Sequence, residues 1–196
     1  MIRCRYVWFF ILFFHFTSLG LAQDKSDSTK VWVIYEQAYS LIGTNHDQAR
    51  ALAQQQIKLA ESINFIEGRN LGYELIGYTY SLENKYVEAL EIYFKLISFK
   101  DNRYQDLARF YLNIGYAYFK VGLYENALEY YAKINDLNQY SVKLPISVIA
   151  DLFYYRALVY ENQSRYDEAL NDFNNVLRLR MQLKDQKLGD IYNKIA

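Results

Sequence analysis

The sequence predicts an all-α chain, a solenoid of antiparallel helix pairs preceded by a signal peptide. Three observations carry that expectation. A short segment rich in aromatics recurs three times, each copy followed at a fixed distance by Ala-Leu and then another aromatic. One proline and 8 glycines in 196 residues are too few punctuators for an all-β chain of tight turns. The N-terminus runs from basic to apolar to small residues, the order of an export signal. With 52% hydrophobic residues the chain has ample material for a core. Tyrosine, at 21 residues, is the oddity that the repeat has to explain.

The elements follow in order. Arg3 and Arg5 open the chain, an apolar run extends from Tyr6 to Phe16, and the small residues Gly20 and Ala22 precede Gln23. This predicts a signal peptide over 1–22, because the apolar run lies within the roughly 7–15 residues of a signal core and below the roughly 20 of a spanning helix. The chain is therefore expected to be exported to the periplasm, and to be membrane-anchored only if this segment stays uncleaved. Cys4, the one cysteine, would leave with it and take thiolate chemistry and cysteine-based metal sites away. Residues 23–29 read as a linker, and 30–183 as about four helix pairs, the first degenerate. Residues 184–196 read as the first helix of a further, incomplete unit.

Within the repeats, Tyr73, Ile76, Gly77 and Tyr80 fall at i, i+3, i+4 and i+7, one face of a helix. The second copy places Tyr111, Ile114, Gly115 and Tyr118 alike, and the third Phe153, Arg156, Ala157 and Tyr160. A second helix follows each, carrying Ala89 and Tyr93, Ala127 and Tyr131, or Ala169 and Phe173. Further aromatics, Tyr86, Tyr124 and Tyr166, stand three residues before each Ala. A glycine in mid-helix costs about 1 kcal/mol against alanine. Gly77 and Gly115 therefore imply a close helix–helix approach that offsets the cost. Asn84, Gly122 and Ser164 mark the turns inside the pairs. Upstream, Ala49 fits the alanine position of a degenerate unit with Gln37 at its glycine position and Ser40 at its tyrosine position. Downstream, Tyr192, Ile195 and Ala196 begin the pattern again.

These residues resemble the tetratricopeptide repeat (TPR) family, whose pattern sets an aromatic, an apolar residue, Gly, Tyr, Ala and an aromatic at fixed offsets. Leu96, Ile134 and Val176 take the last apolar position. Arg156 departs from the pattern, standing where an apolar residue is usual. The equivalent positions Gln37, Gly77, Gly115, Ala157 and Ala196 are spaced by 40, 38, 42 and 39 residues, against the family's period of about 34. Long periods are similar to those of sensory TPR regions in bacterial histidine kinases, helix-turn-helix regulators and peptide-responsive regulators.

The resemblance implies that one face of each first helix lines a groove for a protein or peptide. Its usual groove places hold Glu74 and Tyr78, then Arg109, Asn113, Tyr116 and Lys120, then Tyr155, Glu161 and Asn162. Tyrosine suits such a face, with large amphipathic area and few rotamers to freeze. The family's clamp for chaperone C-termini asks for Lys and Asn where Glu74 and Tyr78 stand, so that partner class is not expected.

Catalytic signals are absent from the sequence. His46, the one histidine beyond the signal, opens a helix beside Asp47 and reads as a surface or capping residue. The HExxH and glycine-rich phosphate motifs are missing. Asp167 and Glu168 suit a helix's first turn, and Arg178 and Arg180 its last, through the helix dipole. Asn162 and Ser164 frame a common glycosylation triplet. No cofactor and no metal is expected. With 22 basic against 22 acidic residues, nucleic acid is not an expected partner. The leading expectation is an exported, non-catalytic protein- or peptide-binding module. The alternative is an N-terminal sensory fragment of a histidine kinase or transcriptional regulator lacking its output domain, suggested by a pattern that stops midway at Ala196.

Overall fold

The computed structural model describes residues 27–139 and 144–183, together with Lys194. The segment read as a signal (1–22), linker residues 23–26, residues 140–143 and the further unit apart from Lys194 lie outside the described residues. Among the described residues all regular structure is helical. Helix α1 covers 27–40, α2 His46–Ser62, α3 Ile66–Leu82, α4 Tyr86–Ser98, α5 Tyr104–Lys120, α6 Tyr124–Gln139, α7 Ile146–Asn162 and α8 Tyr166–Gln182. The expected fold class, all-α with antiparallel helix pairs of the α-solenoid kind, is the observed one. None of the described helices is long and apolar enough to cross a membrane. The chain divides into two compact units, Met1–Thr79 and Tyr80–Ala196.

One turn recurs four times and sets the spacing of the helices. Asn64, Asn84, Gly122 and Ser164 all adopt left-handed backbone, with φ of 54, 58, 81 and 59°. In each case the next amide reaches back five residues to a helix carbonyl. Phe65 donates to Ala60, Lys85 to Tyr80, Leu123 to Tyr118 and Arg165 to Tyr160, at 2.8–2.9 Å. This Schellman arrangement satisfies carbonyls that a helix end leaves open. The following helix then starts at once, with the amides of Ala89, Ala127 and Ala169 bonding to the carbonyls of Lys85, Leu123 and Arg165. The three turns inside the pairs are those the sequence marks. Asn64, between α2 and α3, is a fourth.

In the first unit the register of α1 differs from the sequence expectation. Gln37, aligned with the glycine position, is exposed, and Ala38 is fully buried with Val31. The reason is the connection. Helix α1 ends at residue 40 and five residues precede α2, whereas three precede α4, α6 and α8. The longer turn has no left-handed residue, so the offset that holds in the other pairs does not carry back from Ala49 into α1. Asn45 caps α2 instead, its side chain accepting from the Gln48 amide at 3.1 Å. Here the close approaches are made by α3. A Cβ at Gly72 would lie 2.6 Å from Ile57 and 3.1 Å from the Ala53 carbonyl oxygen.

In the second unit α5 pairs with α6 and α7 with α8, while α4 packs on α5 and α7 on both α5 and α6. Ala127, Tyr131 and Ile134 of α6 bury against Ala108 and Leu112 of α5 and Leu152 of α7. Ala157 meets Ala169 and Phe173 between α7 and α8. Gly115 does what its place in the pattern requires. A Cβ there would sit 2.2 Å from a ring carbon of Tyr131, and Tyr131 has no exposed surface. Arg156 is explained as well. Its guanidinium forks onto Asp172 of α8, Nε to Oδ2 at 2.6 Å and a terminal nitrogen to Oδ1 at 2.8 Å. The equivalent pairs one and two repeats earlier are Ile114 with Tyr130, and Ile76 with Ile92. An ion pair has taken the place of two apolar side chains.

Candidate functional site

The residues that could meet a partner lie on the first helix of each pair. In the first unit, α1 and its turn contribute Tyr35, Tyr39 and Ile42 to a cleft of about 180 Å³. Helix α3 supplies the other wall with Leu71, Glu74, Leu75 and Tyr78. Residues 71, 74, 75 and 78 follow helical spacing, so one stripe of α3 faces the cleft. Tyr35 and Tyr39, one turn apart, hold their ring centroids 5.9 Å apart at a tilt of 33°. Tyr39 is 57% and Tyr78 47% exposed, and Glu74 is half-buried. The cleft thus combines apolar walls, exposed phenol rings and one carboxylate.

In the second unit the face of α5 carries Arg109, Asn113, Tyr116 and Lys120, again at helical spacing. These side chains are engaged with their neighbours. Arg109 lies 3.2 Å from the buried carboxylate of Asp106, which Arg103 also grips at 2.8 Å. Tyr116 packs against Tyr155 of α7 with centroids 5.1 Å apart, against Phe119 at 6.5 Å and edge-on to Tyr86 of α4 at 6.4 Å. The ammonium of Lys120 lies 5.9 Å from the centre of the Tyr86 ring. Asn113 is half-buried. On α7, Glu161 pairs with Lys194 at 2.8 Å. Asn162 donates to the Leu158 carbonyl at 2.8 Å, and its own oxygen faces the Tyr124 hydroxyl at 3.5 Å. The structure therefore brings Tyr116 and Tyr155 together, and it gives Arg109, Lys120, Glu161 and Asn162 partners within the fold.

Beneath the Tyr116–Tyr155 pair lies the hydroxyl of Tyr131, with no hydrogen-bond partner among the described residues. Burial pushes its pKa well above the ordinary tyrosine value, and the neighbouring hydroxyls of Tyr155 and Tyr116 push it the same way. This phenol stays neutral and belongs to the core.

Leu71, Leu75, Tyr35 and Tyr39 were not among the sequence-derived site residues. Leu71 and Leu75 stand one repeat before Arg109 and Asn113, so superposing the copies would have found them. Tyr35 and Tyr39 lie in the degenerate unit, where no signature marks the exposed face. No group of three or more candidate metal ligands occurs among the described residues.

Two segments match the tetratricopeptide repeat family, residues 108–140 and 150–183. The crystal structure of BtubC (BKLC) from P. vanneervenii is similar, with a TM-score of 0.67 at 16% identity over 89% of this chain and 80% of that one. The structure of YrrB, a TPR protein with an unusual peptide-binding site, aligns at a TM-score of 0.48 and 16% identity, over 83% of this chain and 82% of that one. No curated protein matches the chain.

Proposed function

Taking as premise that this is a tetratricopeptide repeat chain, we propose that it is an exported, non-catalytic module that binds a protein or peptide on the exposed faces of its first helices. The observation that carries the reading is the cleft between α1 and α3, where Tyr39 and Tyr78 hold large ring areas in solvent. Exposed aromatics on a rigid helical face give contact area at little entropic cost. Nothing in the site points to catalysis, and His46 and several carboxylates sit at helix starts or in ion pairs. His46 opens α2, Asp47 pairs with Arg50, and Glu168 in the first turn of α8 pairs with Arg165 just before it at 2.9 Å.

The binding reading is tested by panning a random-peptide library on the immobilised chain. Enrichment that falls by at least about tenfold for the Tyr39→Ala/Tyr78→Ala variant is expected, a loss of about 1.4 kcal/mol. Equal enrichment on wild type and variant would place binding elsewhere, and no enrichment would remove the proposal. Export is tested by fusing residues 1–22 to a phosphatase that matures only in an oxidising compartment. Activity in the fusion and none without the segment is expected.

A further inference from the structure

We propose that the Tyr131 hydroxyl is a recognition group, a buried donor for the carboxamide of an asparagine or glutamine side chain on a bound peptide. The inference rests on the binding reading above and names one chemistry that a partner brings to the second unit. It starts from an anomaly. The hydroxyl has no exposed surface and no hydrogen-bond partner among the described residues. Buried polar groups are nearly always paired, and one left unpaired costs stability. Packing does not ask for this group. Phe173 fills the same place one repeat on, 2% exposed and packed with Ala157 and Ala169, with a ring and no hydroxyl. The α5–α6 pair thus carries a polar group that its own architecture can do without.

The position of the hydroxyl says what can use it. Gly115, without a Cβ, lets the Tyr131 ring press against α5. The hydroxyl then neighbours those of Tyr116 on α5 and Tyr155 on α7. Both of these rings stand on first helices, are half-buried, and touch with centroids 5.1 Å apart. One layer of side chains therefore covers the orphan donor on the peptide-facing side. A side chain entering between the two rings reaches it, whereas a peptide backbone lying across them does not. The neutral phenol donates one hydrogen bond. A carboxamide turns its carbonyl oxygen to that donor and its two N–H groups to the phenol oxygens of Tyr116 and Tyr155, which accept whatever their own protons do. A carboxylate offers acceptors only and takes a net charge into a site where burial penalises it. An apolar side chain of equal length leaves the hydroxyl orphaned. Entry gives up part of the Tyr116–Tyr155 contact, so the site yields selectivity more than affinity.

The experiment takes peptides enriched from the library on the full chain and measures their affinities by fluorescence anisotropy. Each asparagine or glutamine is compared with norleucine, which keeps an apolar stem and lacks the amide. On wild type the replacement is expected to weaken binding by about three- to tenfold, the range of one net hydrogen bond. On Tyr131→Phe, which keeps the ring, the discrimination should fall below about twofold, a coupling that the two-by-two comparison isolates. A tyrosine that is merely structural would leave that discrimination unchanged. Thermal melts of Tyr131→Phe without peptide, expected at or above wild type, check that the fold is kept and that the hydroxyl is unpaired in the free chain. Equal discrimination on the two proteins, or enriched peptides indifferent to loss of their carboxamides, overturns this inference and leaves the binding reading standing. So does a melt clearly below wild type, because the hydroxyl would then already be satisfied, as by a buried water. Absence of any enriched peptide overturns both.

Discussion

Gly115→Ala tests the packing of the central repeat most directly, because two known effects oppose each other there. On an isolated helix the substitution is favourable by about 1 kcal/mol. In this chain the added methyl would meet three ring carbons of Tyr131 at 2.2, 2.7 and 2.8 Å. Unstrained carbons rest about 3.5–4.0 Å apart, so the closest overlap exceeds 1 Å. The ring is fully buried among α5, α6 and α7 and has no open side into which to turn. Overpacking of this kind costs about 1–3 kcal/mol or more, and the α5–α6 pair must open to relieve it. The net expectation is a loss of up to about 2 kcal/mol, or a melting temperature lower by up to roughly 8 °C for a chain of this size. Gly43→Ala is the control. Nothing lies within 4 Å of its Cβ position, and the change should be neutral or stabilising by up to about 1 kcal/mol through the unfolded chain. Adding Tyr131→Leu should make Gly115→Ala less damaging, a coupling that a double-mutant cycle reads directly. A Gly115→Ala protein melting at or above wild type would refute the close approach and, with it, the register assigned to the pair.

Three further expectations follow from the same packing. Arg156→Ile alone strands the carboxylate of Asp172, which is 1% exposed, and should cost about 2–4 kcal/mol. The double variant Arg156→Ile/Asp172→Ile, which copies the Ile76 and Ile92 of an earlier repeat, should recover wild-type stability in a denaturant titration. Tyr131→Phe removes a buried hydroxyl without a partner among the described residues and should gain up to about 1 kcal/mol at neutral pH. Because the folded chain raises the Tyr131 pKa above the unfolded value of about 10, its contribution is intact below pH 10 and is lost as pH rises beyond it. The variant should accordingly lose less stability than wild type between pH 9 and 11, measured by denaturant midpoints. Ser164→Gly relieves a left-handed residue at φ 59° and should raise the melting temperature, by about 0.5–1 kcal/mol of stability.

The parts of the fold legible in the sequence are those governed by local chemistry repeated in register. A turn that needs left-handed backbone selects Asn84, Gly122 or Ser164, and a crossing that admits no side chain selects Gly115. Both constraints leave a residue type at a fixed offset, and three copies make the offset visible. What escaped was set by relations that no single copy displays. The face of α1 does not follow the repeat offset because the turn before α2 is of another kind, which only geometry reveals. The partner of Arg156 lies 16 residues on, across the hairpin, where a carboxylate looks like any polar residue of an exposed helix. The cleft escaped because half of its wall belongs to α1, whose sequence has lost the repeat signature. A degenerate unit keeps its helices by burying Val31 and Ala38, and that demand says nothing about the residues facing outward.

The tyrosines divide by what already touches them, and this division bears on where the proposed binding would gain most. On α5 and α7 the expected groove rings are committed to the fold. Tyr116 and Tyr155 lie against each other over the buried Tyr131, and the charged and amide residues beside them hold Lys194, Tyr124 and Asp106. A partner binding there would displace existing contacts and gain only the difference. On α1 and α3 the corresponding surface is open. Tyr39 and Tyr78 hold about half of their area in water, above leucines that replace the arginine and asparagine of the next repeat. Binding energy per contact is greatest where apolar area is still hydrated and rigidly presented. By that criterion the binding reading proposed above favours the α1–α3 surface over that of α5 and α7. Alanine substitutions at Tyr39 and Tyr78 should therefore weaken peptide binding more than any substitution on α5 or α7 that leaves the fold intact.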